Sequence, residues 1–346
     1  MSLQRTLIRT LLKLPPSWLV RMSGGQPVVL GGRTLDPHTQ FLAHGAQRQP
    51  AMATMDPQTA RATSAAGLTM LGADPEPGVQ WTDSVIDTPD HRIPVRIYRP
   101  ADQDPNAPAM AFFHFGGGVI GDLETCHAFA SMIASIARCP VVSVDYRLAP
   151  EHKWPAGLDD CQAAYEWTLK NAASLGAPAG EAAIGGDSMG GNFSAIIAQD
   201  AKRNGLPLPS LQLLIYPAVD VSQETQSHTT YAESYPLSTE TMRWFMGHYI
   251  PAGQDLTDVR ISPAQEMDLE GLPPAIIATA GFDPLVDEGA AYAKRLEASG
   301  VDVTFKCYDS LAHGFTAFTG ASPASDAACR EIAGMVRAAY AKRASS

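Results

Sequence analysis

The sequence predicts an α/β protein built on a mostly parallel, eight-stranded sheet flanked by helices, and three observations predict it. From Val79 onward, strand-length apolar runs alternate with helical segments, the rhythm of a doubly wound sheet. From the third run on, most of these strands are apolar along their whole length, as strands covered on both faces are expected to be. Third, in the stretch Ile184-Gly185-Gly186-Asp187-Ser188-Met189-Gly190-Gly191-Asn192, glycines 186 and 190 flank Ser188. A serine so placed fits a sharp strand-to-helix turn, with its hydroxyl exposed above the sheet and glycines where side chains would crowd the turn.

The elements follow in chain order. Met1 to Met22 is apolar but interrupted by Arg5, Arg9, Lys13 and Arg21, so no uncharged run is long enough to span a membrane. The order of charge, apolar core and small residues that marks a signal peptide is not seen either. Leu7, Ile8, Leu11, Leu12 and Leu14 suit an amphipathic helix that ends at Pro15-Pro16 and packs on the body, with attachment to a membrane surface as the alternative. A polar stretch containing Pro and Gly follows, up to Gly78. Strands are expected at 79–86, 93–98, 109–114, 141–145, 182–186, 211–216, 275–279 and 303–308, and helices at 125–137, 157–173, 192–204 and 288–299. The first two strands are joined by Thr88-Pro89-Asp90-His91, a hairpin-like turn, so that edge is expected to be antiparallel. The connection from Tyr216-Pro217 to Ala275 is far longer than the others and carries a helical segment at 238–249, capped by Ser238 or Thr239. A long insertion of this kind is often a lid. With the N-terminal segment it is expected to cover the carboxyl ends of the strands, where α/β sheets place their ligands. The expected organisation is an N-terminal part of the cap at 1–55, the first part of the catalytic domain at 56–220, a cap insertion at 221–265 and the second part of the catalytic domain at 266–346.

Composition narrows the function. A net charge of −11 and an isoelectric point near 5.2 argue against a nucleic-acid partner, because phosphate binding needs a basic surface. The five cysteines are odd in number and widely spaced, with no C-x-x-C, which fits reduced thiols in a cytoplasm. The nine histidines form no H-E-x-x-H or close cluster. No metal and no organic cofactor is expected.

Acyl transfer through a serine needs a base, an acid to orient it and donors for the oxyanion. Gly116-Gly117-Gly118 directly after the third strand supplies a loop whose N–H groups can turn toward an oxyanion. Asp283 directly follows an apolar strand. Asp287, in the next helix's first turn, and Asp220 are weaker rivals. His313 lies in a turn after the last strand. The order Ser188, Asp283, His313 is that of α/β hydrolases. Chymotrypsin-like proteases, whose nucleophile region Gly-Asp-Ser resembles, run His, Asp, Ser, and that reading is rejected.

Taken together, these pieces resemble the bacterial hormone-sensitive-lipase-like (family IV) esterases, in the branch carrying Gly-Asp-Ser-x-Gly. The matching pieces are His114–Asp122 (HFGGGVIGD), Asp145–His152 (DYRLAPEH), the serine elbow, Gly271–Ala275 (GLPPA), Asp283–Gly289 (DPLVDEG) and His313-Gly314-Phe315. The resemblance implies an α/β-hydrolase fold with a helical cap and hydrolysis of short- to medium-chain carboxylic esters. It implies Ser188 as nucleophile, Asp283 as orienting acid, His313 as base, and the N–H groups of Gly116, Gly117 and Met189 as oxyanion donors. His114, Gly118, Asp187 and Glu151 are expected to support the site, Glu151 from near the elbow. Phe115, Met242, Phe245 and Met246, with Trp244, are candidates for the pocket wall. Small-molecule esters are the expected partners, and a monomer or homodimer the expected assembly. The chain departs from the family's His-Gly-Gly-Gly-aromatic pattern: Phe115 stands for the first glycine and Gly118 for the aromatic, which is expected to widen the pocket. Met189 replaces the usual alanine after the serine.

Overall fold

The computed structural model describes residues 3–344. Met1, Ser2, Ser345 and Ser346, the ends of the first and last expected segments, lie outside the described residues, as does the side chain of Arg5.

Four helices precede the main sheet: α1 (Leu3–Leu11), α2 (Pro16–Met22), α3 (Pro37–Ala46) and α4 (Pro57–Leu71). A small antiparallel ribbon, β1 (Val29–Leu30) and β2 (Arg33–Thr34), joins α2 to α3. The Pro15-Pro16 pair both stops α1 and starts α2, with a proline inside the first turn where its missing N–H is no loss. Helices α3 and α4 each begin with Asp-Pro. The carboxylates of Asp36 and Asp56 accept the N–H of Thr39 and Thr59, as N-caps do.

The main sheet has β3 (Val79–Asp87), β4 (Arg92–Pro100), β5 (Ala109–Phe113), β6 (Val141–Val144), β7 (Ala182–Asp187), β8 (Gln212–Ile215), β9 (Ala275–Phe282) and β10 (Val303–Ala312). Their order is β10-β9-β8-β7-β5-β6-β4-β3. Pairs β3–β4 and β4–β6 are antiparallel and the rest parallel, as the Thr88–His91 turn predicts. The central strands β5, β6, β7 and β8 are buried at every position. Helices α5 (His127–Ala137), α6 (Ala156–Asn171), α7 (Met189–Arg203) and α10 (Val286–Ala298) alternate with the strands close to the expected positions. Two apolar cores result, one on each face of the sheet, the first centred on Phe113, Tyr146 and Phe193 and the second on Phe112, Phe129 and Phe315.

Strand β10 runs past the expected end at 308, through a register irregularity between Tyr308 and Ala312, and so carries the chain to His313. The final helix α11 (Pro323–Ala344) is amphipathic and packs on α5, burying Cys329, Ile332 and Val336. The long insertion carries α8 (Gln226–Thr230) and α9 (Thr239–Tyr249), with Ser238 accepting the Thr241 N–H as the cap.

Candidate active site

Strand β7 ends at Asp187 and α7 starts at Met189, which leaves Ser188 alone on the turn at φ 55° and ψ −115°. That backbone is strained for a residue with a side chain, and close packing on both sides holds it. A Cβ at Gly190 would fall inside the carbonyl of Phe113, and one at Gly186 would lie 2.6 Å from the same oxygen and even nearer the Gly190 backbone. The glycines are there because β5 and the first turn of α7 touch the elbow directly.

The other two groups arrive from neighbouring strand ends. Asp283 follows β9 and His313 follows β10. His313 Nε2 lies 2.9 Å from Ser188 Oγ, and His313 Nδ1 lies 2.7 Å from Asp283 Oδ2. The second Asp283 oxygen accepts the Leu285 N–H at 2.9 Å, which fixes the carboxylate's orientation. Asp283 is wholly buried, and Ser188 and His313 nearly so. With Nδ1 donating to the carboxylate, the free lone pair of Nε2 faces the hydroxyl, the tautomer that can take its proton. The rival acids meet other partners: Asp287 accepts the Ser227 N–H, and Asp220 is occupied by Ser222, Gln223 and Gln265.

Behind the elbow, burial pushes the Asp187 carboxyl up, against hydrogen bonds that hold the charge. Thr316 Oγ1 donates at 2.6 Å and Tyr216 OH at 2.9 Å, and the Cys126 thiol lies at 3.5 Å. The Tyr216 and Thr316 oxygens also lie close to each other, and the Tyr216 ring packs against the His313 imidazole. Tyr216, Thr316 and Cys126 carry no motif. The only signal for them was position, Tyr216 at the end of the strand after the elbow and Thr316 just beyond His313.

The glycine loop is held in an unusual backbone, with φ 129° at Gly116, 61° at Gly117 and 71° at Gly118. Among the described residues, the N–H groups of Gly116 and Gly117 donate to no backbone carbonyl. The loss of the aromatic at 118 does not open the pocket: a Cβ on Gly118 would lie 2.5 Å from the Tyr249 ring, and one on Gly117 would lie 2.8 Å from Phe245 Cβ. Helix α9 fills from above the space that the missing ring leaves, so the expected widening is corrected. Gly116→Ala would drive its Cβ into the Ile120 carbonyl. If the Gly116 N–H receives the oxyanion, as the family resemblance implies, this substitution is expected to lower kcat by roughly a hundredfold or more, with KM moving less, as steady-state kinetics would show.

His114 is wholly buried, stacked on Tyr146, with Nδ1 donating to the Phe115 carbonyl at 2.7 Å and Nε2 unpartnered. Burial pushes its imidazole down to about 4 from an ordinary 6.5. Above pH 6.5 the ring is neutral in both folded and unfolded chains, and its contribution to stability is fully present. As pH falls through that window the unfolded chain takes up a proton that the folded one refuses, and stability is lost. His114→Asn is expected to make the pH dependence of urea unfolding shallower between about pH 6.5 and 4; parallel curves would refute this.

Glu151 stands away from the elbow contacts. Its half-exposed carboxylate pairs at 2.6 Å with Arg61 of α4, which holds it down to about 2. The same guanidinium donates to the carbonyls of Val119 and Ala149. Glu151 therefore bears on the glycine loop through Arg61, a residue the sequence reading did not single out.

Above Ser188 opens a mainly apolar cleft of about 1870 Å³. Phe115, Met242, Phe245 and Met246 line it, together with Phe41, Leu68 and other residues of the N-terminal helices. Trp244 instead ties α9 to the N-terminal segment, its Nε1 donating to the Met55 carbonyl at 3.1 Å. Among the described residues no group of three or more His, Cys, Asp or Glu side chains is placed to hold a metal ion, and no helix is long and apolar enough to cross a membrane.

A family model described as the alpha/beta hydrolase fold matches residues 110–317. The chain is 37% identical over 325 residues to the carboxylic ester hydrolase LipN of Mycobacterium tuberculosis, covering 92% of this chain and 86% of that protein. It is 42% identical over 254 residues to the carboxylesterase NlhH of the same species, covering 72% and 79%. A crystal structure of an alpha/beta hydrolase from the metagenome of Lake Arreo, Spain, superposes with a TM-score of 0.85 at 38% identity, covering 89% of this chain and 99% of that one.

Proposed function

The chain belongs to the α/β-hydrolase fold family, in its hormone-sensitive-lipase-like esterase branch, and is a carboxylic ester hydrolase; from that premise we propose that it works through an acyl-enzyme on Ser188. The observation that carries this reading is the hydrogen-bonded chain Ser188–His313–Asp283 at the floor of an apolar cleft.

In this reading His313 Nε2 takes the Ser188 proton as Oγ attacks the ester carbonyl carbon. The N–H groups of Gly116, Gly117 and Met189 receive the oxyanion, and Asp283 stabilises the imidazolium. His313 then gives its proton to the departing alkoxide, and the alcohol leaves. Water, deprotonated by His313, attacks the acyl carbon; His313 then returns that proton to Ser188 Oγ as its bond to the acyl carbon breaks, and the acid departs. None of these steps calls on a cofactor.

Phe245, seated over Gly117, crowds the floor of the cleft, which supports a preference for short to medium acyl chains. Residues 1–55 and 221–265 act as the cap over a catalytic domain of 56–220 and 266–346. Helix α4, inside the 56–220 bounds, also lines the cleft. The five free cysteines, four of them buried, support residence in a reducing cytoplasm. The open edge of β10, with Phe305 exposed, is the surface through which a homodimer would form. Hydrolysis of p-nitrophenyl esters from acetate to palmitate tests the substrate reading. Turnover should peak at short to medium chains and decline toward palmitate; a maximum at palmitate would refute the acyl-chain assignment.

A further inference from the structure

Among the polar groups that line the mainly apolar cleft, one buried pair, facing each other at a corner of the wall, is not used by the reaction. His228, in the middle of the short helix α8, and Glu288, in the first turn of α10, both line the cleft and are more than nine-tenths buried. Their free ends face each other. Glu288 Oε1 is occupied, accepting the N–H groups of Val219 at 2.8 Å and Asp220 at 3.2 Å. Glu288 Oε2 has no hydrogen-bond partner. His228 Nδ1 accepts the Thr225 N–H at 3.0 Å, so in the neutral ring the proton sits on Nε2. That Nε2 lies 3.9 Å from Glu288 Oε2, too far for a hydrogen bond.

A buried polar atom left without a partner is costly; Glu288 Oε2 is such an atom, and His228 Nε2 stands beside it across a gap at the wall of a ligand cleft. We propose that His228 and Glu288 form a polar subsite that takes a neutral hydrogen-bonding oxygen, a hydroxyl or a carbonyl, carried by the ester substrate away from its scissile group. The proposal rests on the esterase reading. Burial favours the neutral form of both groups. It raises the Glu288 carboxyl well above its usual range, with Asp220 and Asp283 nearby adding to this. It lowers the His228 imidazole against the pull of Glu224, Asp283, Asp287 and Asp220. The corner then offers an N–H from His228 and an O–H from Glu288, a pair suited to an uncharged oxygen rather than to an ammonium or carboxylate. Because this pair is buried in the wall of a mainly apolar cleft, it would favour an ester whose second oxygen reaches it.

The test compares butyl butyrate with monobutyrates of diols from ethane to hexane, and with butyl esters of hydroxy acids for the acyl side. Wild type is expected to favour the best hydroxylated ester by roughly tenfold in kcat/KM. The ratio should fall toward one in His228→Phe and in Glu288→Leu, while Glu288→Gln, which keeps an acceptor for Val219 and Asp220 and an N–H in place of the O–H, should retain it. Competitive inhibition of wild type by the diols against matched monoalcohols reads the same corner without any variant, and the diol should bind more tightly. Equal ratios in wild type, with esters still hydrolysed, would overturn the subsite alone. So would a preference that survives both His228→Phe and Glu288→Leu, or a stronger preference for the matching amino-alcohol ester. Absence of turnover on every ester would instead overturn the esterase reading and the subsite with it.

Discussion

Ser188→Ala is expected to lower kcat by roughly a millionfold while the protein stays folded. The loss is large because the serine, the histidine and the carboxylate act as a unit. Without Oγ no acyl-enzyme forms, and only the oxyanion donors and the cleft remain to speed direct attack by water. His313→Ala should cost about as much, since Nε2 is the group within reach of Ser188 Oγ. Asp283→Asn should cost about ten-thousandfold, because an amide in place of Oδ2 favours the wrong tautomer of His313. Circular dichroism and denaturant midpoints close to wild type would separate these losses from unfolding. A rate unchanged in His313→Ala would remove it from the mechanism.

Gly190→Ala is expected to be the most damaging single methyl in the chain, costing about 3 kcal/mol or more of folding stability. The added Cβ has nowhere to go: the Phe113 carbonyl occupies its position, with the His114 carbonyl 3.1 Å away. Phe113 ends β5 and Ser188 sits between β7 and α7, so relief would require separating the central strands from the elbow helix. Gly334→Ala in α11 is the control. Nothing lies within contact of its Cβ, so replacing a mid-helix glycine should be neutral or stabilising by up to about 1 kcal/mol. Urea titrations of the two variants check this, and equal midpoints would contradict the account of why the elbow glycines are there.

The triplet Ser188, Asp283 and His313 was legible because the proposed chemistry imposes local sequence: glycines two residues either side of the serine, an acid directly after an apolar strand, a histidine in the turn after the last one. The central sheet was legible because parallel strands buried on both faces leave unbroken apolar runs. The N-terminal helices were less so. Helices α3 and α4 announce themselves through Asp36-Pro37 and Asp56-Pro57, a cap followed by proline, but their interiors lack a strong apolar stripe. Helix α11 was missed because its buried face is built largely from Ala, Ser and Cys, with few large apolar residues. What sequence spacing could not supply was the through-space packing. Tyr249 fills the volume over Gly118 from more than a hundred residues away in the chain, and Arg61 carries Glu151 to the glycine loop from α4. The partners of Asp187 come from three separate segments.

The measurement that tests the central claim most directly is mass spectrometry of the enzyme quenched during hydrolysis of a p-nitrophenyl ester, with the p-nitrophenol burst recorded in parallel. The account predicts a burst of one product per active chain and a single acyl group on the peptide that contains Ser188, both absent from Ser188→Ala. Steady turnover with the acyl group on another residue, or turnover that persists in Ser188→Ala, would contradict it.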